Sequence, residues 1–585
     1  MNGVCEKIFR LTGCEFSGEI SVELGDIQGI SVDFDGQRAC IRAENENALG
    51  RAAFLLSKAI NEKKTLHTAQ CRQIASVGPM LDCSRGAVYT VEAVKKYIDY
   101  VHALGMNLFM LYTEDTYEVP EYPYFGHMRG RYTKAELKEI DDYAFSCGVE
   151  LVPCVQTLAH LEKFLQWPGC GVDKDTETCL MIDDEKSYAF IEAAVRSLRE
   201  CFRSGRIHVG MDEAWGVGLG HYFDRFGSQD RLEMLKRHLQ RVCAICEKYG
   251  FAPMMWSDMI FKLSGDGGHY DGDVSGKACG LPKVGLVYWD YYHEKDSEYD
   301  ERLTAHEKLG GEVIFAGGDW TWTGFLPNTT KTEATSYPAM RQAIRHRVQT
   351  VIATLWGDNG AECNYFLALN QLPIFSEFAW MGEGADAAEI KAQGALLSGI
   401  TDACYEAYGL FGNQSDSGKA IIWGDPLFHL RRQSTPTEEL LKRYEKALDI
   451  LRQGTPCEQN RYAAALFEVL LNKLHLMQDI AAAYENRQMD TLRRLADESI
   501  PALIGLYTQA ETLHRKMWMN TCKQNGWEVL ALRYGAARGR LNDCALTLRE
   551  YVLGEIDHIA ALEENDLPSW RRDWYRWCAT PQDDA

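Results

Sequence analysis

The chain has 585 residues, 46% of them hydrophobic and 25% charged, with a formal net charge of −22. That length exceeds what one hydrophobic core serves, so roughly two to four domains are expected. The acidic balance argues against nucleic-acid partners and anionic membrane surfaces, because both need a basic face. The opening stretch MNGVCEKIFRLTGCEF lacks the apolar segment of a signal peptide, and no run of about 18 apolar residues occurs anywhere. The 19 cysteines are scattered and odd in number, which fits reduced thiols in a cytoplasmic protein better than a disulfide framework.

Residues 21–43 alternate apolar and polar side chains, as half-buried strands do, and the helix-like run NALGRAAFLLSKAI follows. These features define a small α+β domain over residues 1–73. A different rhythm holds across 74–424. Eight short apolar runs each end in polar or aromatic residues: ASVGPMLDCSRG, NLFMLYTED, VELVPCVQTLAH, RIHVGMDEA, APMMWSDMIF, VGLVYWDYY, EVIFAGGDW and TVIATLWGDNGAE. Amphipathic helices such as TVEAVKKYIDYVHALGM and TKAELKEIDDYAFSCG lie between them. Buried strands alternating with helices indicate parallel βα units, and eight of them predict a (β/α)8 barrel rather than an open sheet. Cys243 and Cys246 have CxxC spacing but no second such pair. Inside a helical pattern they are expected to pack as small apolar residues. No metal or cofactor site is expected. From residue 425 to 585 glycine thins out and long helical stretches predict an all-α domain of about five helices.

In a parallel barrel the chemistry sits at the C-terminal strand ends. Those ends carry Asp82 and Arg85, Glu114 and Asp115, His160, and His208 with Asp212 and Glu213. Trp256, Asp258, Tyr288, Trp289, Asp290, Tyr291 and Tyr292 follow, then Asp319, Trp320, Trp322, Trp356, Asp358, Asn359 and Glu362. Indole faces with carboxylates and an arginine are how a site grips a sugar: C–H faces stack on the rings and hydroxyls bond the charged groups. The structural readings are a strand-supporting His208, a packing Met211, and Glu114 and Asp115 as caps. Trp289 could be barrel packing, and of Trp320 and Trp322 the former is favoured for the site.

The stretch His208-Val-Gly-Met-Asp212-Glu213 resembles the His-x-Gly-Gly-Asp-Glu motif of glycoside hydrolase family 20, the β-N-acetylhexosaminidases, with Met211 where that family has glycine. The resemblance extends along the succession of α+β domain, barrel and helical domain, which is similar to a dimeric, intracellular bacterial branch of the family. It implies an exo-acting enzyme on N-acetylhexosamine-terminated glycans, and a homodimer. It implies Glu213 as general acid/base and Asp212 as the partner of the substrate acetamide. Arg85 would bind O3 and O4, His160 is similar to the family's active-site histidine, and Trp256 and Trp356 would wall the acetamido pocket. Tyr288 and Asp290 resemble a Tyr-x-Asp element whose tyrosine bonds the acetamido oxygen, with Tyr291 as a rival. Asp358 stands where a glutamate would bind O4 and O6. A second reading is a catalytically inactive glycan-binding protein on the same fold.

Ordinary retaining glycosidases use two carboxyls about 5–5.5 Å apart, one of them a nucleophile, whereas family 20 uses the substrate's own acetamide. An adjacent acid pair suits the second arrangement. Successive strand residues point to opposite faces, so sharing one site requires that the chain leave the strand at Asp212.

Overall fold

The computed structural model describes residues 2–265, 270, 274, 280–412, 418–428 and 437–564. The helix Gly3–Leu11 comes first, capped by the Asn2 side chain. Strands β1 (Glu19–Leu24), β2 (Ile30–Phe34), β3 (Arg38–Ala43) and β4 (Leu66–Gln70) form one sheet in the order β1-β3-β2-β4. In β3 the period-2 pattern buries Ala39, Ile41 and Ala43. The sheet packs through β2 and β3 against the helix Glu46–Asn61.

All eight apolar runs become strands of one closed parallel barrel. They are β5 (Ser76–Asp82), β6 (Leu108–Tyr112), β7 (Glu150–Cys154), β8 (Arg206–His208), β9 (Ala252–Trp256), β10 (Gly285–Trp289), β11 (Val313–Gly318) and β12 (Thr350–Leu355). β12 pairs with β5 over Thr350–Leu355 and closes the circle. Two of the intervening helices begin where the sequence supplies a capping side chain: Thr90 for Val91–Ala103, and Thr133 in a capping box with Glu136 for Lys134–Ser146.

Two cores result. Inside the barrel lie Met80, Met110, Val152, Met254, Val287, Ile314 and Ile352, in one cluster with Tyr112, Trp256, Tyr291, Trp320, Trp322 and Trp356. Outside, between strands and helices, runs the second and larger core, which takes the alternate residues such as Leu286 and Tyr288. Cys243 and Cys246 are buried in it on the helix Arg231–Lys248.

Among the described residues beyond 436, the long helices are Thr437–Gln453, Glu458–Glu485, Ile500–Thr521 and Trp527–Leu553, with a short one at Met489–Arg494. This region docks on the barrel loop that follows β5. Thr90 N–H donates to Thr521 O at 2.9 Å, and Lys523 N–H donates to Val88 O at 2.7 Å. Among the described residues no helix is long and apolar enough to cross a membrane.

Candidate active site

β8 ends at His208, and the chain then takes a strained corner. Gly210, Met211 and Glu213 have φ of +74°, +73° and +48°. Glycine fits the first position for a second reason: a Cβ on Gly210 would lie 2.0 Å from Gln156 Oε1. Met211 and Glu213 adopt the left-handed region without that excuse, which costs on the order of 1 kcal/mol each. The corner breaks the pleat's alternation, so Asp212 and Glu213 both line one cleft. Two side chains clamp it. Gln156 accepts from Met211 N–H at 3.0 Å and donates through Nε2 to Asp212 Oδ1 at 2.7 Å. Asp258 Oδ2 accepts from Glu213 N–H at 3.0 Å.

His160 faces both acids, with Nε2 3.3 Å from Asp212 Oδ2 and 3.7 Å from Glu213 Oε2. Burial alone would push the imidazole's pKa down, but the Asp212 carboxylate outweighs it and lifts it to about 10. Burial would likewise raise Asp212, yet His160 and Gln156 hold it below the usual carboxylate range. Glu213 moves the other way, raised by burial and by the charge of Asp212. Two neighbouring carboxyls are thus driven apart, one toward the anion and one toward the acid form, a separation that assigns acid and base roles in other enzymes.

Asp258 is buried, and burial beside Asp212 and Glu213 raises its pKa strongly. Its Oδ1 has no well-directed hydrogen-bond partner among the described residues, with the Trp289 side chain nearby. Arg85 bridges Asp82 and Glu114, each at 3.1 Å. Burial pushes Glu114 up to about 7 against the pull of Arg85. His208 sits against Trp256 with ring centroids 4.3 Å apart, and its Nδ1 accepts from Gly210 N–H at 3.1 Å. Burial drives it down to about 3, so it is a neutral strut of the corner.

The open cleft has a volume of about 480 Å³ and is lined by Arg85, His160, Asp212, Glu213, Trp256, Trp289, Tyr291, Tyr292, Trp322, Trp356 and Asp358. Three expected site residues lie elsewhere. Tyr288 falls on the outward parity of β10, against His306 and Phe315, and its hydroxyl donates to Asp290 Oδ2 at 2.5 Å. Asp290 is occupied in turn, accepting from Tyr292 N–H at 3.0 Å and contacting His293 Nδ1 at 2.6 Å. Tyr291 keeps the inward parity of Val287 and Trp289. Its hydroxyl, near Thr354 and Trp356, has no well-directed partner among the described residues. Trp320 stacks behind Trp322 at 4.2 Å, so the wall is Trp322. Gln156 carried no signal in the sequence beyond standing after β7, and Asp258 stood among the strand-end acids without a role. Among the described residues no group of three or more His, Cys, Asp or Glu could hold a metal ion.

An acid pair between indole walls at the C-terminal mouth of a parallel barrel defines a glycosidase site. Comparisons with known proteins agree. Residues 77–274 match the catalytic domain of glycosyl hydrolase family 20, and residues 410–575 match the glycoside hydrolase 20C C-terminal domain. The two matches cover more than half of the chain, which belongs to glycoside hydrolase family 20. Among relatives, hexosaminidase D of Bos taurus is 27% identical over 41% of this chain and 68% of its own length. Hexosaminidase D of Homo sapiens is 26% identical over 36% of this chain, which spans 44% of that protein's length. The N-acetyl-β-hexosaminidase of Streptomyces plicatus, solved in complex with Thio-NAglucal, shares the fold at 19% identity. Its TM-score is 0.50, over 68% of this chain and 89% of that one.

Proposed function

We propose that this glycosidase removes terminal β-linked N-acetylhexosamine, GlcNAc and GalNAc alike, by substrate-assisted retention. The observation that carries the reading is His160 Nε2 set between two adjacent acids, 3.3 Å from Asp212 and 3.7 Å from Glu213, whose pKa values are displaced in opposite directions. In the first step the substrate's acetamide oxygen attacks the anomeric carbon, and the bond to the leaving oxygen breaks. Glu213, partly exposed and shifted toward its acid form, gives its proton to that oxygen. Asp212, held as an anion, orients the acetamide N–H and balances the positive charge that develops on the cyclic oxazolinium ion. In the second step Glu213 takes a proton from water, which opens the ring with overall retention.

Tyr291 would donate its hydroxyl to the acetamide oxygen, and Trp256, Trp322 and Trp356 would enclose the methyl group. Arg85 would bind O3 and O4, and Asp358 would read O4 and O6 loosely, which supports tolerance of both epimers. The acid pair and its proton inventory favour an enzyme over an inactive glycan-binding protein, which would need the walls and Arg85 alone. Family likeness supports a homodimer, and unpaired cysteines among the described residues support a cytoplasmic setting.

Nitrophenol release from the β-GlcNAc and β-GalNAc nitrophenyl glycosides tests the reading. Both should be cleaved, and selectivity for one epimer near ~10⁴-fold would sink the tolerance claim. Glu213→Gln should lose about 10²–10⁴-fold on poor leaving groups, and much less on nitrophenol, which needs little protonation. Light scattering at micromolar concentration should give the mass of a dimer; a monomer mass would remove that part.

A further inference from the structure

The loop that carries Asp358 is held from the helical region. After β12 the chain runs through Gly357, whose N–H donates to Asp82 Oδ2 at 2.9 Å. It then takes φ of +48°, +115° and +51° at Asn359, Gly360 and Ala361. Left-handed positions in succession persist only where surrounding structure fixes them. The fixing group is Arg533, which is buried on the helix Trp527–Leu553. Its Nη1 donates to Asn359 O at 2.7 Å and to Glu362 Oε1 at 2.9 Å, and its Nη2 donates to Asn359 Oδ1 at 2.9 Å. A Cβ on Gly360 would come within 2.6 Å of Arg533 Nη1, so the guanidinium packs closely against the loop.

Glu362 is anchored from the same side. Lys419 Nζ donates to its Oε2 at 2.9 Å, and Trp423 Nε1 donates to its Oε1 at 3.2 Å. The charge of Lys419 also acts on Asp358. The helical region grips the neighbouring loop as well, through the isolated bridge between Tyr89 and Cys522 downstream of Arg85.

We propose that Arg533 is a positioning residue for sugar recognition: its planar fork fixes the Asn359–Glu362 corner and thereby the placement of Asp358 at the cleft. The inference rests on the reading of Asp358 as the group facing O4 and O6. A lysine can neutralise Glu362 but cannot hold Asn359 and Glu362 together, because only the guanidinium presents donors in a rigid fork. The effect should therefore appear in recognition rather than in the acid–base chemistry.

The test uses the full chain and the two nitrophenyl glycosides, and follows the ratio of kcat/KM for GlcNAc over GalNAc. The parent, which cleaves both, should still favour one epimer by roughly 10- to 100-fold, far short of a strict reader, and Asp358→Ala should bring that ratio toward unity by removing the O4 reader. Arg533→Lys should move it the same way by about three- to tenfold, mainly through KM, and should add little in the Asp358→Ala background. Asn359→Gly removes one arm of the fork while keeping the left-handed backbone and leaving Glu362 paired. It should shift the ratio in the same direction by a smaller factor, and it stands in if Arg533→Lys does not fold. A purely structural role lowers both substrates equally. An unmoved ratio in the Arg533 and Asn359 variants, with a moved ratio in Asp358→Ala, overturns this inference alone. An unmoved ratio in Asp358→Ala overturns the reading of Asp358 and the inference with it.

Discussion

Two clusters of buried charge lie at the same end of the barrel and are built in opposite ways. Around Glu362 both carboxylate oxygens meet donors, from Arg533, Lys419 and Trp423. Around Asp212 the backbone is strained at Met211 and Glu213, Asp258 Oδ1 has no well-directed partner among the described residues, and the acids are shifted in both directions. The first cluster is saturated and holds structure. The second keeps unspent hydrogen-bonding capacity and unsettled protons, which is what a site needs for a substrate.

The contrast can be broken by substitution, and the largest effect should come from Asp212→Asn. It should lower turnover of good and poor leaving groups alike by about 10²–10³-fold, since the internal nucleophile loses its orienting anion. Folding should be retained, as thermal melting would show; a variant that simply unfolds would erase the distinction. Glu362→Ala should do the reverse. It leaves Lys419 and Arg533 buried without their anion, a loss of about 3–5 kcal/mol, and should lower the first thermal transition by on the order of 10 °C.

The pH dependence sharpens the same comparison. Asp258 has a raised pKa in the fold, so between the ordinary carboxylate pKa and that raised value the folded state binds one proton more than the unfolded chain. Stability then falls as pH rises through that window, by up to about 1.4 kcal/mol per pH unit. Asp258→Asn removes the slope and keeps an acceptor for Glu213 N–H. Its melting temperature should rise relative to the parent between pH 5 and pH 7, whereas a constant difference would refute the proton assignment. The smallest effect is expected at Met211. Met211→Gly relieves the left-handed strain but vacates a fully buried side chain. Cavity formation outweighs strain by about 1–3 kcal/mol. A few degrees of melting temperature should be lost with turnover changed by about twofold or less, since Gln156 holds the corner through the Met211 backbone.

The barrel was legible because its strands are buried on both faces, so each reads as a continuous apolar run. The acid pair was legible because its neighbours Gly210 and His208 are local. What the sequence hid depends on register and on distance along the chain. Tyr288 and Tyr291 differ only in parity at the end of β10, and no local pattern says which parity faces inward. Trp320 and Trp322 share the inner cluster, and only their stacking order decides which one meets the cleft. Gln156 acts across 55 positions on Met211, and Arg533 across 174 on Asn359, separations over which periodicity carries no information.

The central claim is that the substrate's acetamide, not a protein carboxylate, attacks the anomeric carbon. Mass spectrometry of the full chain incubated with a slow, fluorinated substrate that retains its acetamide tests it most directly. The protein should keep its unmodified mass throughout turnover, with Asp212 and Glu213 unlabelled; a glycosyl adduct mapped to any carboxylate would contradict attack by the acetamide.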